Sequence, residues 1–62
     1  MDILTKYNYE KTWTQTSKKD LIRIIEEEIG DADAKGVLSY IQESIKNGKT
    51  ITVGECKFKL KD

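Results

Sequence analysis

Residues able to do chemistry are few in this 62-residue chain, and their types and spacing limit what that chemistry could be. Three glutamates stand in a row at Glu26-Glu27-Glu28, and a single thiol lies at Cys56. Asp31-Ala32-Asp33-Ala34-Lys35-Gly36 opens like a calcium loop, with carboxylates at its first and third positions and glycine at its sixth. Lys57, Lys59 and Lys61 alternate with Cys56, Phe58 and Leu60. The chain has no histidine and no proline, and its four glycines never group into a phosphate-binding loop.

Each group has an ordinary structural reading beside the chemical one. Consecutive helical residues point about 100° apart, so Glu26, Glu27 and Glu28 cannot converge on one ion, and a solvated helix face is expected. The calcium loop carries Lys35 at its fifth position and Gln42 at its twelfth, where ligands belong. Asp31 and Asp33 then read as an acidic helix start, favourable to the helix dipole. Cys56 shares its parity with Phe58 and Leu60, which buries it as a small hydrophobe rather than exposing a nucleophile. No catalytic group, metal site or cofactor is expected.

The lysine ladder is the feature with most functional promise. Together with Lys6 or Lys11 on a neighbouring strand, it would present a basic face to phosphates or to an acidic protein. Lysines on an exposed strand also keep sheets from pairing edge to edge, and that solubility role is the preferred reading. Tyr7, Tyr9 and Trp13 share one parity and resemble a stacking platform for bases, but a chain this small needs its aromatics inside. Core or dimer interface is the preferred reading of the three.

Positioning these residues falls to a short series of elements. Ile3–Thr14 is rich in β-branched and aromatic types and alternates in polarity, which predicts one half-buried strand, interrupted near Glu10-Lys11. Ser17-Lys18-Lys19-Asp20 has capping-box spacing, and Leu21, Ile25 and Ile29, with Ile22 beside them, predict a helix over about 18–29 that Gly30 stops. A second helix follows, capped by Asp31 or Asp33, striped by Ala34, Val37 or Leu38, Ile41 and Ile45, and left through Asn47-Gly48. Gly36 in its first turns is expected to serve close approach of the first helix or of a second subunit. Lys49–Val53 and Cys56–Leu60 read as strands around a Gly54-Glu55 turn, or as one strand bent at a Gly54 bulge.

Residues 17–60 show a partial similarity to the core of the HU family of DNA-bending proteins. It lies in the two helices, in Asn47-Gly48-Lys49-Thr50-Ile51-Thr52-Val53 and in Gly54-Glu55-Cys56-Lys57-Phe58. The family's second glycine is Cys56 here, the helix connection is shorter, the DNA-gripping arms and their proline are absent, and a strand precedes the first helix. The similarity therefore carries over no binding residues.

Size bounds the rest. Residues 1–62 form one domain, an α+β unit of order β-α-α-β-β with a three-stranded, mostly antiparallel sheet and a helical hairpin on one face. Folding 7.1 kDa buries roughly 6,200 Å². With about 60% of it apolar this gains on the order of 93 kcal/mol, close to the entropy cost at about 1.5 kcal/mol per residue. A lone subunit is marginal, which predicts a homodimer. Eleven basic and eleven acidic residues cancel, without the basic excess of a dedicated duplex-DNA binder. No apolar run approaches a membrane span, which suggests a cytoplasmic protein with Cys56 reduced. Ten lysines to one arginine, with eight isoleucines, suggest an AT-rich bacterial or phage source. The expected function is a non-enzymatic inhibitor or regulator that binds another protein. The second reading is a nucleic-acid-binding regulator using Lys57, Lys59 and Lys61. Charge layout separates them: clustered lysines favour nucleic acid, and interspersed carboxylates favour a protein.

Overall fold

The first reversal of the chain occurs where β propensity gives no warning of it. In the computed structural model, which describes residues 2–30 and 33–61, strand β1 (Ile3–Tyr7) ends in a tight connection and returns as β2 (Thr14–Thr16). The Tyr7 N–H donates to Glu10 Oε1 at 2.8 Å, and the Glu10 N–H donates back to the Tyr7 carbonyl at 2.9 Å. Asn8 is an ordinary turn residue, and the Glu10 side chain closes the turn it makes. The stretch read as one interrupted strand is a hairpin, so the sheet has four strands rather than three.

Helix α1 (Lys18–Ile29) starts at Ser17, whose hydroxyl accepts from the Asp20 N–H at 3.3 Å. Asp20 is a helix-face residue, with its carboxylate 3.8 Å from Arg23. Leu21, Ile24 and Ile25 are buried; Ile24 replaces the expected Ile29, which packs only at the core's margin with Ile22. Helix α2 (Ala34–Lys46) is capped by Asp33, whose Oδ1 accepts from the Gly36 N–H at 3.1 Å. A Cβ on Gly36 would collide with that carboxylate, which supplies the three atoms nearest to it. The glycine makes room for its own helix cap, and α1 supplies none of the nearest atoms. Ala34, Leu38, Ile41 and Ile45 form the buried stripe, and the chain leaves through Asn47-Gly48.

Strands β3 (Ile51–Val53) and β4 (Cys56–Leu60) form a second hairpin, with Val53 paired to Cys56 across a two-residue turn. The order is β2-β1-β4-β3, antiparallel throughout. Both helices cover one face of this sheet. Ile3, Cys56 and Phe58 point into that layer, at most 2% exposed, and meet the two helix stripes in one core. Thr5 is the buried polar residue of this face, and its hydroxyl is satisfied by Thr16 at 2.7 Å. Among the described residues no helix is long and apolar enough to cross a membrane.

Candidate functional site

The other face of the sheet has no layer over it. Strand pleating puts alternate residues on opposite faces, so with Ile3, Thr5, Cys56 and Phe58 facing the helices, Leu4, Lys6, Lys57 and Lys59 must face outward. Register then brings the cations together. Lys6 lies directly opposite Lys57, and Lys59 directly opposite Leu4. Of the two candidate partners for the C-terminal ladder, Lys6 joins it in register. Lys61, just beyond β4, donates from Nζ to Gln15 Oε1 at 2.9 Å and marks the border of the patch toward β2.

Trp13 completes the cluster. The ammonium groups of Lys59 and Lys6 lie over its ring, 4.5 and 5.9 Å from the centroid. The indole is half-buried but belongs to neither the core nor its margin. The shared parity of Tyr7, Tyr9 and Trp13 is therefore broken by the hairpin between them. Tyr7 stays on the helix side and packs at the core margin. Tyr9 stacks on it with ring centroids 5.3 Å apart, yet remains 76% exposed. Burial pushes the Tyr7 hydroxyl up, helped by Cys56, Glu27 and Glu28. The tyrosine pair thus sits beside carboxylates, and the tryptophan sits among lysines.

Charge is unevenly distributed between the layers. The four strands carry Lys6, Lys57 and Lys59 and no carboxylate. Asp20, Glu26, Glu27, Glu28 and Glu43 all lie on the helices. Among the described residues the ion pairs are those of Arg23 with Asp20 and Glu27, on α1. A net charge of zero conceals a basic sheet face. Like charges directly opposite each other across a strand pair are destabilising, and Lys6 with Lys57 is such a pair.

The remaining candidates serve the scaffold. Glu28 accepts the Glu55 N–H at 2.7 Å and ties the β3–β4 turn to α1. Glu27 binds Arg23 at 2.9 Å. Cys56 is fully buried, and loss of solvent pushes its thiol up to about 11, which keeps it protonated at neutral pH. Asp31, the first position of the calcium-like loop, lies outside the described residues, and Asp33 is engaged as a cap. No protein-family model matches the chain, and no curated protein or solved structure matches it.

Proposed function

We propose that this chain is a non-enzymatic binding protein that works through the outer face of its sheet and takes a nucleic acid there. The observation that carries the reading is the clustering of Lys6, Lys57 and Lys59 around Trp13 on strands without a carboxylate. That is the charge layout of the second of the two sequence readings. Solubility would be served as well by lysines interspersed with glutamates, and such an arrangement would avoid the repulsion between Lys6 and Lys57. A row of phosphates relieves that repulsion and releases condensed counterions. A protein partner with an acidic surface is the competing occupant.

Salt dependence separates these. Labelled 20-mers of DNA and RNA, single-stranded and duplex, are titrated with the protein between 50 and 200 mM KCl. Three phosphate contacts predict a log–log slope of about −2 to −3, and replacing Lys6, Lys57 and Lys59 together with Gln should bring it to about zero. Absence of binding to every one of these nucleic acids at 50 mM salt would overturn the reading and leave the protein partner.

A further inference from the structure

We infer that the nucleic acid on this face is single-stranded, with Trp13 stacking on a base while Lys6, Lys57 and Lys59 hold the neighbouring phosphates. The inference rests on the nucleic-acid reading above and adds to it the physical state of the strand.

A duplex fits the face poorly. The major groove is about 12 Å wide and admits a helix or a two-stranded ribbon. Four strands at about 4.8 Å spacing, with side chains standing on them, are broader than that. Such a face meets a duplex only along its phosphates, where an indole has nothing to stack on. Yet Trp13 stands among the cations. It is no part of the helix-side core, and its ring carries the ammonium groups of Lys6 and Lys59. A large aromatic on a phosphate-binding surface is explained when bases are unpaired and can lie against it.

The cations are placed for the same strand. Lys57 and Lys59 are alternate residues of β4, about 6.7 Å apart along it, and Lys6 faces Lys57 from β1. Among the described residues neither Lys6 nor Lys59 forms an ion pair, and both ammonium groups lie over the indole in the free protein. In the complex these ammonium groups turn to the phosphates on either side of the stacked base and free the ring for it.

Trp13 is the single tryptophan of the chain, so its emission reports on this contact alone. The probes are oligothymidylate of twelve nucleotides, a twelve-base-pair duplex, and an abasic strand of the same length. The single strand should quench the tryptophan and bind more tightly than the other two. Trp13→Ala should weaken single-strand binding roughly 5- to 150-fold without changing its salt slope, and Trp13→Phe should restore part of the loss. Circular dichroism checks that the variants remain folded, and the abasic strand tests the contact in the unaltered protein. Equal affinity for all three probes with unchanged emission would overturn the single-strand inference and leave nucleic-acid binding standing. Failure of all three at 50 mM salt, with the RNA 20-mers also unbound, would overturn both.

Discussion

Gly54 and Glu28 show how much one contact can decide in a chain of this size. Gly54 begins the β3–β4 turn at φ +59°, in the left-handed region that favours glycine. A Cβ there would also press on Glu28, whose Cβ and carboxyl carbon would both lie 3.1 Å away. Glu28 cannot withdraw without releasing the Glu55 N–H. Gly54→Ala should therefore cost about 2 kcal/mol, half from the backbone and half from the displaced glutamate. In a Glu28→Ala background the same substitution should cost less, about 1.5 kcal/mol, because the carboxylate contact is gone while the Cβ contact at 3.1 Å remains. Urea unfolding of the four proteins in this cycle measures both values, and strict additivity would show that the two residues act independently. Neither residue reads from sequence as part of one device. Gly54 is legible as a turn, but its partner lies 26 positions away and becomes visible only when α1 lies beneath the turn.

Among the elements, the two helices were the most legible. Their caps and apolar spacing set the bounds of α1 at Lys18–Ile29 and the buried stripe of α2 at Ala34, Leu38, Ile41 and Ile45. The first hairpin is not legible, because Asn8 is a lone turn residue inside a β-rich stretch and the turn is closed by the Glu10 side chain. The same misreading placed Trp13 with Tyr7 and Tyr9, since six residues of connection separate β1 from β2 and reset the side-chain parity. β2 is also the weakest element. It has three residues, lies at a sheet edge, is mostly exposed, and pairs with β1 alone. Amides of Thr14–Thr16 should exchange by local opening, while those of Leu4–Lys6 and Lys57–Lys59 in the central pair exchange near the global limit. Hydrogen exchange followed by NMR checks this, and equal protection of β2 and β4 would contradict it. Because Trp13 directly precedes β2, local opening there should also loosen the indole.

At the scale of the whole molecule, surface and charge point in different directions. The accessible area is 4255 Å², slightly above the ~4,100 Å² expected for 7.1 kDa, so the fold buries no more than its size predicts. The marginal balance that predicts a homodimer therefore persists. Either sheet edge, β2 or β3, could accept a second copy and leave the outer face free. Light scattering at micromolar concentration should give about twice the chain mass. A monomer that unfolds cooperatively would remove the dimer from the account. Charge would have been misjudged from the total, because a net charge of zero suggested no strong field. Pleating and register put the strand lysines on one face and left the carboxylates of α1 and α2 in the other layer.

The features legible from the residues alone are local: two capped amphipathic helices, the Gly54-Glu55 hairpin, the inward parity of Cys56, Phe58 and Leu60, and an α+β class. These follow from periodicity and caps, which act within a few residues. Long-range packing decides that β1 pairs with both β2 and β4, and therefore that Lys6 faces Lys57 and that the Lys6 and Lys59 ammonium groups lie over Trp13. The physical reason is register. Strand partners are chosen by which faces can be buried together, and that choice sets neighbours up to 57 positions apart, as between Ile3 and Leu60.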